Sequence, residues 1–287
     1  MTPIPRLHCG GLALDLARPQ VMGVLNVTPD SFSDGGCYFT GQKPDIGKAL
    51  TRAQIMIDEG ADIIDIGGES TRPGAAPLTV QQELDRVIPV LEAISKNLSV
   101  VISIDTSSPE VMLESARAGA GMINDVRALR RPGALQAMAQ LDLPICLMHI
   151  QGEPETMQNK PEYLNVVEEV QHFLRKRVRA CEEAGIKRSR LLIDPGFGFG
   201  KSLEHNLQLL NQLGQFQSLE LPVLVGLSRK SMIGQALGRA VEDRLYGSLA
   251  LAVLAVDRGA RIIRCHDVRA TVDAVQMAAA VLKQEAN

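Results

Sequence analysis

Eight short runs of apolar, often β-branched residues recur along the chain. Each is followed by a polar or glycine-rich corner and then by helical sequence. They are VMGVLNV (21–27), DIIDIG (62–67), VVISID (100–105), MIND (122–125), PICLMH (144–149), LLIDPG (191–196), PVLVGLS (222–228) and RIIRCHD (261–267). Strands with one wet face alternate apolar and polar residues; these runs are nearly continuous, as strands covered on both faces must be. The segments between them carry helix signals. Thr79 and Gln82 form a capping box ahead of a helix over 79–97, and Ser108 with Pro109 opens another over 109–119. Amphipathic stretches cover 162–184 and 270–284, and an extra helix over 243–258 fits between the seventh and eighth strands.

Eight strand–helix units predict an α/β fold, a (β/α)8 TIM barrel with its active site at the C-terminal ends of the strands. A doubly wound open sheet is the rival, but it gives no reason for the count to stop at eight. No linker interrupts the series, so one domain is expected over 1–287, with its core at about 20–284. With 45% apolar and 22% charged residues, a chain of 287 residues can bury a large core. Its net charge of −3 gives no general attraction to nucleic acid or to an anionic membrane. The longest apolar run, LALAVLAV (249–256), is too short to span a bilayer and reads as a helix buried on most sides. The five cysteines, Cys9, Cys37, Cys146, Cys181 and Cys265, are widely spaced without a CxxC pair. That argues against a disulfide framework or a cysteine zinc site and fits a reducing cytoplasm. The opening MTPIPRLHCGG has no apolar h-region, so no signal peptide is expected.

The strand ends are polar in every case, and in a barrel they converge on one rim. They bring Asn26, Asp105, Asn124 with Asp125, His149, Asp194, the SRKS run at 228–231, and Arg264 with His266. Asp105, Asn124 and Asp194 offer acceptors and one amide, a set suited to a flat heterocycle with an amidine-like or guanidine-like edge. For Asn124 a turn-forming role is the alternative, and for Asp105 a helix-capping role in DTSSPE. Arg264 and His266 lie two apart on the last strand and point the same way, so with Asn26 on the neighbouring first strand they make an anion pocket. A surface ion pair is the competing role for Arg264. Cys265 between them points to the other face. The Lys230 amine is placed to reach a ring oxygen or nitrogen, and Ser231 with backbone N–H groups to hold a carboxylate. Two loops rich in Gly, Pro, Ser and Thr, TPDSFSDGG (28–36) and ESTRPGAAP (69–77), read either as lids or as ordinary surface turns.

DPGFGFGKS (194–202) looks like a nucleotide-binding loop but fails the pattern, which needs glycine where Pro195 stands. Asp194 is its working residue on this reading, and Lys201 is peripheral. HExxH, GxSxG and a paired catalytic carboxylate motif are all absent.

GVLNVTPDSFSDGG, DIGGESTRPGA, SIDTSSPEV, IND, LMHIQGEPETMQ, LIDPGFGFGK, GLSRKSMIG and IIRCHDV follow one another from about residue 20 to the C-terminus. In that order they resemble the dihydropteroate synthases, pterin-binding enzymes of bacterial folate biosynthesis. The resemblance implies a (β/α)8 fold and a transferase reaction. In it 6-hydroxymethyl-7,8-dihydropterin diphosphate condenses with 4-aminobenzoate to give 7,8-dihydropteroate and pyrophosphate, with Mg²⁺ as cofactor. It implies that Asp105, Asn124, Asp194 and Lys230 hold the pterin and that Asn26 touches the metal. Asn26, Thr71, Arg72, Arg264 and His266 would hold the diphosphate, and Phe32, Asp34, Pro73, Phe199 and Ser231 would shape the aminobenzoate site. The implied catalytic group is Asp105, Lys230, Arg264, His266 and Asp34. Sulfonamides as inhibitors and a homodimer are implied as well. The alternative is a pterin-binding methyltransferase module that presents methyltetrahydrofolate to a corrinoid protein; such a module needs neither the two loops nor the Arg264–His266 anion pocket.

Overall fold

The computed structural model describes residues 6–28, 39–40, 43–69, 78–152, 157 and 161–286. The chain opens with a hairpin, β1 (Arg6–Cys9) and β2 (Leu12–Asp15), paired antiparallel. Its two-residue loop, Gly10–Gly11, has φ of +59° and +97°. Both angles lie in the left-handed region that a tight hairpin turn of this kind demands, and glycine adopts it at little cost. The hairpin was not expected from the sequence.

The alternating units follow: β3 (Gln20–Asn26), a two-residue ribbon of β4 (Phe39–Thr40) and β5 (Lys43–Pro44), α1 (Ile46–Asp58), β6 (Ile63–Gly67), α2 (Val80–Asn97), β7 (Val101–Asp105), α3 (Pro109–Arg117), β8 (Met122–Asp125), α4 (Ala134–Gln140), β9 (Ile145–Met148), α5 (Val166–Glu183), β10 (Leu191–Asp194), α6 (Leu203–Asn211), β11 (Leu224–Gly226), α7 (Ser231–Leu237), α8 (Leu245–Asp257), β12 (Ile262–Cys265) and α9 (Val268–Leu282). Eight parallel strands hydrogen-bond in the order β10-β9-β8-β7-β6-β3-β12-β11. The seam between β10 and β11 is narrowed by a parallel bridge between Ile193 and Val223 and by the bond from Ile193 N to Pro222 O, 3.0 Å. The expected barrel is therefore present, with all eight expected strands in it.

The lumen is built in layers, because every second residue of a strand points inward. The lowest layer takes one apolar residue from each strand: Met22, Ile63, Val101, Met122, Cys146, Leu192, Leu224 and Ile262. Leu7, Cys9, Leu14 and Leu16 of the hairpin segment pack against it and close the base of the barrel. Two residues further along each strand the layer reads Val24, Asp65, Ser103, Asn124, Met148, Asp194, Gly226 and Arg264. The lumen thus changes from wholly apolar to strongly polar within one step of about 7 Å along the strands. The intervening residues, among them Ile64, Ile102, Ile123, Leu147 and Ile263, face outward into the core beneath the helices.

Helix α2 begins as expected, with the Thr79–Gln82 capping box. Ser108 precedes α3 but makes no cap bond; its hydroxyl donates instead to Glu83 Oε2 at 3.0 Å. Helix α5 starts at Val166 rather than 162, because Asn165 caps it by accepting from the N–H groups of Val167 and Glu168. The LALAVLAV helix is less buried than its sequence suggests. Ala252, Ala255 and Val256 are buried, but Val253, Leu254 and Tyr246 on α8 are exposed, as are Met277 and Val281 on the adjoining α9. Among the described residues no helix is long and apolar enough to cross a membrane.

Candidate active site

Asp105, Asn124, Asp194, Lys230 and Arg264 of the expected rim residues gather at the C-terminal mouth of the barrel, and their order in the layers decides what each can do. Arg264, on β12, extends into the lumen beside Gly226, its register neighbour on β11; a Cβ at Gly226 would stand at an ordinary contact distance, 3.8 Å, from Arg264 Cβ and Cδ. The guanidinium meets two carboxylates, with Nε 2.6 Å from Asp65 Oδ2 and Nη2 3.0 Å from Asp105 Oδ2. Arg264 is therefore not a surface ion pair, nor is it a wholly uncommitted anion anchor. Burial works to lower its pKa, but Asp65 and Asp105 outweigh that and hold it raised. Nη1 makes no bond among the described residues and remains a donor. Asn124 also points inward, its Nδ2 3.3 Å from Asp65 Oδ2, so a turn-forming role does not account for it. The turn is made by its neighbour Asp125. That carboxylate faces outward and accepts from Ser107 Oγ, from Arg127 N at 2.8 Å and from Leu129 N at 2.6 Å. Burial raises the Asp105 pKa, Arg264 opposes the shift, and Asp65 adds to it.

Asp194 is buried at the end of β10, with Oδ1 accepting from Gly196 N at 2.7 Å. Burial raises its pKa, against the pull of Lys230 and of that backbone bond. The glycines beyond it answer to sterics rather than to phosphate. Gly196 has φ of +71°, and a Cβ there would lie 1.8 Å from the His149 carbonyl oxygen; at Gly200 it would lie 2.6 Å from Gln151 O. The loop folds close against the end of β9, which only glycine permits. Of its two aromatic residues, Phe197 is fully buried in the core under the helices and cannot face a ligand. Phe199 is partly buried against Val126, Met148, Ile150 and Met157. The Lys230 amine lies over its ring, 4.6 Å from the centroid, and donates to the Phe197 carbonyl. Burial lowers the Lys230 pKa to about 8, with Asp194 opposing the shift.

Lys201 corrects a sequence expectation. It is not peripheral but 4% exposed, its amine 2.9 Å from Gly196 O, 3.0 Å from Phe199 O and 2.9 Å from His149 Nδ1. It tethers the glycine-rich loop, and burial sets its pKa well below the usual lysine value. His149 consequently serves the same tether, with Phe173 packed edge-on at 4.9 Å, and does not join the rim. His266 bonds Ser228 Oγ through its backbone N and Nδ1, at 3.2 and 3.0 Å. Asn26 ends the adjacent β3, close to Gly67, where a Cβ would meet Asn26 Oδ1 at 3.3 Å. Ser231 is exposed at the start of α7. Cys265 faces the helices, as expected. Phe32, Asp34, Thr71, Arg72 and Pro73 lie outside the described residues. The described root of the second loop, Glu69, pairs with Arg127 at 3.1 Å and Arg131 at 3.5 Å.

The residue that sequence reasoning missed is Asp65. The signal was present: a charged residue inside the apolar run DIIDIG, two positions after Ile63 and so on the inward face.

Comparison with known proteins gives this geometry a relationship. Residues 22–266 match the family model described as pterin binding enzyme. The dihydropteroate synthase of Escherichia coli (strain K12) is 54% identical over 282 residues, covering 98% of each chain. That of Haemophilus influenzae is 51% identical, covering 95% of this chain and 97% of its own. Among solved structures, the Yersinia pestis dihydropteroate synthase with a sulfonamide drug complex superposes with a TM-score of 0.93 at 52% identity, covering 97% of this chain and 99% of that one. The Xanthomonas albilineans dihydropteroate synthase in complex with 7,8-dihydropteroate superposes with a TM-score of 0.85 at 46% identity, covering 97% and 98%. With more than half its length matched by the family model and nearly all of it by these relatives, the chain belongs to the pterin-binding enzyme family and, within it, to the dihydropteroate synthases.

Proposed function

We propose that the chain condenses 6-hydroxymethyl-7,8-dihydropterin diphosphate with 4-aminobenzoate, releasing pyrophosphate and 7,8-dihydropteroate. The observation that carries the reading is the polar inward layer of Asp194, Asn124 and Arg264 with Asp105 and Lys230 at its edge, set in a chain so close to dihydropteroate synthases. A pterin presents adjacent N–H donors on its pyrimidine edge. Asp194, whose Oδ2 makes no bond among the described residues and whose Oδ1 has one lone pair committed to Gly196, accepts them in parallel. Asn124 and Lys230 meet the remaining heteroatoms, and Phe199 offers apolar surface to a ring. As the C–O bond to the diphosphate breaks, positive charge spreads from the methylene carbon into the dihydropterin. Asp105 in its ionised form balances that charge, and Arg264 Nη1 with His266 stabilises the departing diphosphate. The aromatic amine then attacks in an SN1-like displacement. It is neutral at cellular pH, and the anilinium formed on attack is acidic enough to give its proton to solvent or to the departing pyrophosphate, so no strong general base is needed.

Mg²⁺ fits here only as a companion of the diphosphate. Among the described residues no group of three His, Cys, Asp or Glu side chains gathers to cage a metal. Magnesium commonly takes one or two protein oxygens and completes its shell with phosphate and water. Asn26 would supply such an oxygen, and the bound ion would neutralise charge on the leaving diphosphate. The exposed Tyr246, Val253 and Leu254 of α8 beside Met277 and Val281 of α9 support a homodimer through these helices. The four described cysteines are unpaired, which suits a cytoplasmic enzyme.

The test is pyrophosphate release from the pterin diphosphate with and without 4-aminobenzoate. The synthase reading requires aminobenzoate-dependent release, inhibited by sulfonamides in competition with aminobenzoate. Release that ignores aminobenzoate refutes it.

A further inference from the structure

Asp65 has no role in the reaction as set out above, yet it occupies the centre of the polar layer. It sits mid-strand on β6, with 0% of its surface exposed. Its Oδ2 accepts from Arg264 Nε and from Asn124 Nδ2. In the sheet, β12 lies two strands to one side of β6 and β8 two strands to the other, so one carboxylate ties together groups from opposite sides. Among the described residues its other oxygen, Oδ1, has no hydrogen-bond partner, and neither has the buried Oγ of Ser103, its register neighbour on β7.

A fully buried carboxylate with an unsatisfied oxygen is a poor device for stability. One layer below, the same strand carries Ile63 in a well-packed apolar ring. What Asp65 contributes is direction. A carboxylate is an acceptor only, so the Asn124 amide must turn Nδ2 toward it and present Oδ1 the other way. The bond to Arg264 Nε, with Asp105 on Nη2, fixes the guanidinium plane and leaves Nη1 as its open donor.

We propose that Asp65 is a positioning residue for the condensation: it sets the Asn124 amide with its carbonyl toward the pterin and holds Arg264 with Nη1 directed at the departing diphosphate. This rests on the function proposed above. Asp65→Asn keeps the shape but can turn its own amide either way, so Asn124 is free to flip and Arg264 loses one of its two counter-charges.

The experiment is a mutant cycle on the full chain, read as kcat/KM for the pterin diphosphate. Asp65→Asn is expected to lower it about 100-fold, the scale of an ångström-size misplacement. In a chain already carrying Arg264→Gln and Asn124→Ala, the same change is expected to cost less than about threefold, because the residues through which it acts are gone. Ser103→Ala, in the same layer but bonded to neither group, is expected to stay within about threefold of wild type. Equal losses from Asp65→Asn in both backgrounds, wild-type activity in Asp65→Asn, or a comparable loss in Ser103→Ala would overturn the role. If Asp65→Asn does not fold, Asp65→Glu is read in both backgrounds by the same criterion. A wild-type chain without aminobenzoate-dependent pyrophosphate release overturns the function itself; an active wild type with additive losses overturns only the role of Asp65.

Discussion

The Arg264 guanidinium on β12 bonds Asp105 on β7, three strands away around the barrel, with Nη2 3.0 Å from Oδ2. The same group bonds the fully buried Asp65 at 2.6 Å. Removing one partner from a buried ion pair leaves the other charge uncompensated, which typically costs about 3–5 kcal/mol. Arg264→Ala should therefore lower unfolding stability by about that amount in urea melts. Taken as an anion pocket, Arg264 would act on the diphosphate alone. Tied to Asp65 and Asp105, its loss should also weaken free 6-hydroxymethylpterin in calorimetric titration. An unchanged melt together with unchanged pterin affinity would contradict both expectations.

Asp194→Asn should separate binding from folding. The Gly196 N–H holds one side-chain oxygen at 2.7 Å, so the substituted amide keeps its oxygen there and turns its NH₂ toward the ligand. Donor then faces donor. Pterin affinity should fall by about 100-fold or more, the cost of unpaired buried polar groups, while the fold persists. Affinity within tenfold of wild type would remove Asp194 from the pterin site.

Lys230 ties stability to pH. Its folded pKa is lowered to about 8, below the unfolded value of about 10.4. Between those values the unfolded lysine binds more protons than the folded one, so the Lys230 contribution to stability rises with pH across that window. Lys230→Met should lack this rise, and thermal melts from pH 7.5 to 10.5 on both proteins give the difference. Parallel curves would show that Lys230 keeps an ordinary pKa.

Lys201→Met should destabilise although it touches no proposed ligand. Its amine satisfies the Gly196 and Phe199 carbonyls, and an abandoned buried acceptor costs about 1–3 kcal/mol. A loss of about 2–4 kcal/mol is expected in urea unfolding. A neutral result would mean that the glycine-rich loop holds its shape without the tether.

Chelation distinguishes a substrate-borne cation from a structural one. EDTA should abolish aminobenzoate-dependent turnover and leave the melting temperature of the ligand-free protein unchanged, since no acidic cage is present among the described residues. A lowered melting temperature would point to a structural metal elsewhere.

Much of the site was legible because strand periodicity alone carries it. The inward direction of Arg264 and the outward direction of Cys265 follow from alternation, and both are found. The Thr79–Gln82 cap is local chemistry and was equally legible. Other roles depended on neighbours distant in sequence. His149 looked like a rim residue because it ends a strand, yet Lys201, 52 residues later, draws it into a tether. Phe197 and Phe199 are alike in sequence, but one enters the core and the other flanks Lys230.

The sequence by itself determined the eight strands and the polar character of their C-terminal ends, because apolar runs, caps and period-two alternation are properties of neighbouring residues. Only the tertiary structure decided which of those polar groups act together. Asp65 became the hub between Arg264 and Asn124, although 199 and 59 residues separate it from them, and Lys201 left the periphery for the interior. The reason is that closing the sheet makes height in the barrel, rather than distance along the chain, set which charges share the same low-dielectric layer.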